Sequence, residues 1–129
     1  MEEKDNLSIT ITIKHNLSIK MIDDLMTTAF EGGINYWCKN VKIIDFPSNM
    51  MENTSDFYAS TVLANGGVVR LYDVESRDVW ILNRPMIVKG IEMYCNEYKV
   101  TPEYMYDTHD ADTADAIVQY AVFNELIFG

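Results

Sequence analysis

The last stretch of the chain, Asp107 to Gly129, constrains the fold more than any other. Its first part is acidic, with Asp107, Asp110, Asp112 and Asp115 and no Lys or Arg. Its second part is apolar on nearly every side: Ala116, Ile117, Val118, Tyr120, Ala121, Val122, Phe123, Leu126, Ile127 and Phe128. A helix apolar all round must be covered by the rest of the protein or by a partner. Carboxylates at its start meet the positive end of the helix dipole. The stretch therefore predicts a central C-terminal helix, from Ala114 to Phe128, behind an acidic lip.

What precedes it must supply the cover, and 129 residues suit one domain, 1–129. The pattern begins with Ser8 to Lys14, where Ile9, Ile11 and Ile13 alternate with Thr10 and Thr12, the signature of a half-buried strand. Residues 1–7 read as frayed. Ser18 caps a helix with Ile19, Ile22, Leu25, Met26 and Ala29 at helical spacing, and Gly32-Gly33 reads as its left-handed stop. A second strand is expected near Val41–Asp45, then a polar loop from Pro47 to about Ser55 and a short helix over Asp56–Ala64. Val68–Tyr72 and Asp78–Leu82 predict a hairpin. Asn83 with Pro85 in the first turn starts a helix to about Tyr98, which Val100-Thr101-Pro102 breaks. The expectation is an α+β domain: a small, mostly antiparallel sheet of about four strands packed with three to four helices.

No catalytic motif emerges. Cys38 and Cys95 are far apart and neither has a histidine close in sequence, so they suggest neither a metal site nor a nucleophile. Asp107, His109, Asp110 and Asp112 faintly resemble a calcium loop but lack its glycine and its closing glutamate. Gly32-Gly33 and Gly66-Gly67 fit no nucleotide fingerprint. No cofactor is expected. The acidic start and the absence of a long apolar run predict a cytoplasmic protein without a membrane span. Asn35-Tyr36-Trp37 reads as a lid where helix meets sheet, with an aromatic binding platform as the rival reading.

Charge is the most informative remaining feature. The net charge is -10, and residues 91–129 hold eight acids and one base, Lys99. Such a surface is repelled by bare nucleic acid and attracted to basic sites on other proteins. Within it, Glu103, Tyr104, Tyr106, Asp107, Asp110 and Asp112 are the candidate partner contacts, carboxylates that can imitate phosphates with tyrosines between them. A solvated face that aids solubility explains the same acids more plainly.

Two stretches carry a resemblance. One runs from Ile22-Asp23-Asp24-Leu25 through Thr28-Ala29-Phe30-Glu31-Gly32-Gly33-Ile34-Asn35-Tyr36-Trp37-Cys38. The other is Asp110-Ala111-Asp112-Thr113-Ala114-Asp115-Ala116-Ile117-Val118-Gln119-Tyr120-Ala121. With Tyr58-Ala59-Ser60, Gly66-Gly67 and Lys89-Gly90-Ile91 they resemble a group of small acidic proteins from phages, prophages and plasmids of Firmicutes. The likeness runs from about residue 9 onward and departs in the loops at 46–55 and 97–108. It implies no catalytic residue. It implies an anti-defence protein, anti-CRISPR-like in character, whose partner would be a host defence protein such as a CRISPR-Cas effector. A homodimer, a small-molecule binder that sequesters a nucleotide signal through Arg70, Arg77 and Arg84, and a metal-dependent hydrolase are the alternatives.

Overall fold

A computed structural model describes residues 6–50 and 58–129. Part of the polar loop (51–55), the first two residues expected in the short helix (Asp56 and Phe57) and most of the frayed start (1–5) lie outside the described residues. The elements run α1 (Ile19–Thr28), a π-helical segment (Ala29–Gly33), β1 (Cys38–Asp45), α2 (Ala59–Ala64), β2 (Val68–Asp73), β3 (Val79–Asn83), α3 (Arg84–Tyr98), α4 (Pro102–Thr108) and α5 (Ala111–Phe123). The class is α+β. Among the described residues the sheet has three strands, not about four, and five α-helices stand where three to four were expected.

The sheet is antiparallel in the order β1-β2-β3. Leu71 lies between Val41 and Trp80, and Val69 between Ile43 and Leu82, so these six side chains share one face. That face is covered: Val69, Leu71 and Leu82 are fully buried with Leu25, Met26, Ile34, Trp37, Ile87 and Ile117. Arg70, between Lys42 and Ile81, points the other way. The missing fourth strand is the N-terminal one. Residues 8–14 form neither helix nor strand, and none of the backbone hydrogen bonds among the described residues ties them to a neighbour. Ile9, Ile11 and Ile13 remain 87%, 69% and 62% exposed. Alternation identifies a segment able to be a strand; it does not supply the edge that would pair with it.

Caps set the helix boundaries. Ser18 Oγ accepts from the Met21 N–H (3.1 Å), and Asn83 Oδ1 from the Met86 N–H (3.0 Å) with Pro85 in the first turn. Gly32-Gly33 is not a left-handed stop. α1 widens into a π turn, with the Ile34 N–H bonded to the Ala29 carbonyl at 3.0 Å, and neither glycine has positive φ. Gly33 is required for another reason: a Cβ there would lie 2.8 Å from the Ala111 carbonyl oxygen, where α5 begins. Gly90 plays the same part between α3 and α5, since its Cβ would meet the Ile117 oxygen at 2.5 Å. These two glycines let both neighbours approach α5 at backbone distance.

α5 is the buried helix that its composition predicts, with Ala114 to Gln119 and Ala121 all covered. It is shorter than expected. Asn124 turns left-handed (φ 63°) and ends it at Phe123, and Phe128 folds back to stack on Trp37 with centroids 4.9 Å apart. Trp80 and Phe123 complete that aromatic cluster at 5.8 and 5.7 Å from Trp37.

Candidate partner-binding corner

Thr101-Pro102, expected to break α3, instead starts a further helix. Lys99 takes the left-handed conformation that closes α3, and Thr101 Oγ1 then accepts from the Tyr104 N–H at 3.1 Å, with Pro102 opening a new helix, α4. Threonine at the cap, proline in the first turn and glutamate behind it are helix-start residues, so the region expected to be a loop is a seven-residue helix. His109 and Asp110 alone separate α4 from α5. Asp110 caps α5, taking the Thr113 N–H and the Thr113 hydroxyl, both at 3.0 Å. Those bonds, the backbone N–H first, hold its carboxyl below the usual range.

The corner is pinned to α1. The His109 Nδ1–H donates to the Tyr106 carbonyl (2.7 Å), and its Nε2 lies 3.0 Å from the Thr28 hydroxyl. Tyr106 stacks on the His109 ring, and its hydroxyl donates to Asp24. Asp24 also receives the Lys20 ammonium at 2.7 Å. Lys20 first and Tyr106 second lower the Asp24 pKa, while the hydrogen bond to Asp24 raises that of Tyr106. Glu103 receives His15 Nδ1 at 3.1 Å, which ties the end of the N-terminal arm to α4. Its carboxyl is lowered by its own backbone N–H and then by His15.

The six candidate contacts thus divide. Glu103, Tyr104 and Asp107 are exposed on α4, and Asp112 is exposed in the first turn of α5. Asp110 is exposed but engaged as a cap, and Tyr106 is half-buried against α1. Asp115, which in sequence continues the acidic run, does not belong to the surface. It is 9% exposed and accepts from the Tyr36 hydroxyl (2.6 Å), the Trp37 Nε1–H (2.8 Å) and the Gln119 amide (2.9 Å). Asn35-Tyr36-Trp37 divides as well: Trp37 is core, while Asn35 and Tyr36 face outward.

Sequence reasoning missed the supports Lys20, Asp24, Thr28 and His109, because helix α1 and the corner are about 80 residues apart. It also missed Gln119 as the partner of Asp115. The signal for that pair was present: two polar residues four apart on the side of a helix otherwise apolar.

Other chemistry gains no support. No group of three His, Cys, Asp or Glu residues that could hold a metal exists among the described residues. Both cysteines are buried, and burial raises both thiols, the opposite of what a thiolate nucleophile needs. A cleft of about 820 Å³ opens between α1, β1 and α2. Its described lining residues include one base, Lys39, beside two acids, Asp23 and Glu31, and no arginine. Arg84 is committed to the Ala64 carbonyl at 3.0 Å. Among the described residues no helix is long and apolar enough to cross a membrane. No protein-family model, no curated protein and no solved structure matches the chain.

Proposed function

We propose that this protein is a non-catalytic anti-defence inhibitor of a mobile element, and that it docks its α4–α5 corner onto a basic, nucleic-acid-binding surface of a host defence nuclease, a CRISPR effector being the expected kind. The observation that carries the reading is the display of Glu103, Tyr104, Asp107 and Asp112. All four are exposed on two short helices, each capped by a side chain and joined by a turn pinned to α1. A rigid acidic display loses little conformational freedom on binding. Its field, on a chain of net charge -10, speeds encounter with a basic groove. Tyr104, 59% exposed, adds the apolar area that charges alone do not provide.

The test is competition with DNA for a purified CRISPR effector. The wild-type protein blocks DNA binding, and more weakly as salt rises. The combined variant Glu103→Lys/Asp107→Lys/Asp112→Lys, which leaves the Asp110 cap in place, loses more than about tenfold in inhibition, by the size of electrostatic effects at charged interfaces. Full inhibition by that variant would remove the acidic-corner mechanism.

A further inference from the structure

Residues 8–14 belong to no helix or strand, and none of the backbone hydrogen bonds among the described residues engages them, although their sequence suits a strand. Paired as a strand, the segment would set Ile9, Ile11 and Ile13 on one side and Thr10 and Thr12 on the other, by the alternation of its sequence. The three isoleucines are each more than half exposed, an apolar row of the kind that marks an interaction surface. Beside the segment, between it and helices α3 and α4, runs a groove of about 700 Å³. Ile11, Thr12 and Ile13 line it together with Val88, Ile91 and Val100.

The order of residues identifies the occupant. Turned antiparallel about Ile11, the segment matches itself: Ile11 meets Ile11, Ile9 meets Ile13, Thr10 meets Thr12, and Ser8 meets Lys14. Apolar faces apolar on one side and threonine faces threonine on the other, both favourable cross-strand pairs. Charge points the same way. From Asn6 to Lys14 the lone charged residue is Lys14, and the pairing sets it opposite a serine. On a chain of net charge -10, this segment can meet its own copy without bringing carboxylates together.

We propose that this protein forms a twofold dimer in which residues 8–14 of two copies pair as antiparallel strands centred on Ile11, each segment lying against the groove beside the other. The pairing satisfies backbone groups that have no partner among the described residues of the single chain, and it covers the isoleucine row. It is independent of the acidic corner.

Position along the segment makes the test specific. Only the residue on the twofold axis stands opposite itself. Ile11→Cys therefore forms a disulfide-linked dimer under mild thiol oxidation. Ile9→Cys alone and Ile13→Cys alone do not, because each stands about 14 Å from its own copy at the strand rise, beyond the roughly 7 Å that a disulfide spans. An equimolar mixture of those two variants does crosslink. Sedimentation velocity over a range of concentrations shows the wild type passing from monomer to dimer. Ile11→Asp, which sets two carboxylates face to face, weakens that dimer by more than about tenfold. Its unchanged far-UV circular dichroism shows that the fold is intact. Equal crosslinking of all three single-cysteine variants would overturn the pairing. A chain that stays monomeric throughout would overturn it too, and would leave the segment to its own groove or to a different protein.

Discussion

Residues 8–14 and 124–129 are both rich in apolar residues and both non-helical, yet the backbone of one is held down and, among the described residues, that of the other is not. At the C-terminus Gln119 holds the tail: its Oε1 accepts from the Ile127 and Phe128 N–H groups at 2.8 and 2.9 Å. Phe128 then lies flat on Trp37, 5° from parallel. The isoleucine row of residues 8–14 finds no backbone partner among the described residues, and Leu17 is where the segment first joins the core. Apolar surface draws a segment inward, but the segment stays only where its N–H and C=O groups are also satisfied. One buried glutamine meets that condition for the tail, and nothing among the described residues meets it for the arm.

The largest effect follows from removing that glutamine. Gln119→Leu keeps the volume and deletes the acceptor for two backbone N–H groups and the donor to Asp115. A loss of about 2–3 kcal/mol is expected from leaving such buried groups unpaired. Urea denaturation measures it, and hydrogen exchange at the amides of Ile127 and Phe128 separates tail release from general destabilisation. A tail that stayed protected would show that Phe128 stacking alone suffices, and the contrast between the ends would then rest on aromatic area.

Legibility in the sequence divides along the same line. Local signals were readable: the Ser18 and Asn83 caps, the hairpin, and the apolar wrap of α5 all stand as the residues predict. Features that depend on a distant partner were not. Asp115 looks like one more surface carboxylate until Tyr36 and Trp37 arrive from 79 and 78 residues away. The alternating arm looks half-buried because periodicity reports a capacity for pairing and carries no information on whether an edge is available. Helix α4 was readable in principle, since Thr101-Pro102-Glu103 is a start signal, but the same proline also reads as a stop for α3, which Lys99 in fact closes. Of the candidate site, the exposed acids follow from sequence. Their rigid mounting, His109 on Thr28 and Tyr106 on Asp24, follows from tertiary contact alone.

A second, smaller effect comes from pH at the Tyr36–Asp115 end of the tail network. Burial of the hydroxyl and then the hydrogen bond to Asp115 push the Tyr36 pKa up to about 12, from an ordinary value of 10.0. Folding thus favours the protonated phenol. Its stabilisation is fully present below pH 10.0 and is lost as pH rises through about 12. Tyr106 and Tyr120 are shifted in the same direction, so the whole fold weakens at alkaline pH. Tyr36→Phe is expected to flatten part of that decline without removing it. The measurement is stability against pH from 9 to about 12 for wild type and variant. Parallel curves would mean that Tyr36, whose ring is half exposed, meets water freely at Asp115.

The smallest effect belongs to the arm. Ile9→Ser/Ile11→Ser/Ile13→Ser removes the entire apolar row, yet a dilute single chain is expected to keep its stability within about 0.5 kcal/mol, as for exposed sites without partners. The same triple change in a buried strand would cost several times as much. Dilution is the controlling variable. At concentrations where two arms pair, the wild type gains stability by mass action and the variant does not, so their melting curves separate only as concentration rises. A deficit already present in dilute solution would mean that the arm docks on its own chain, and the two ends would differ in degree rather than in kind.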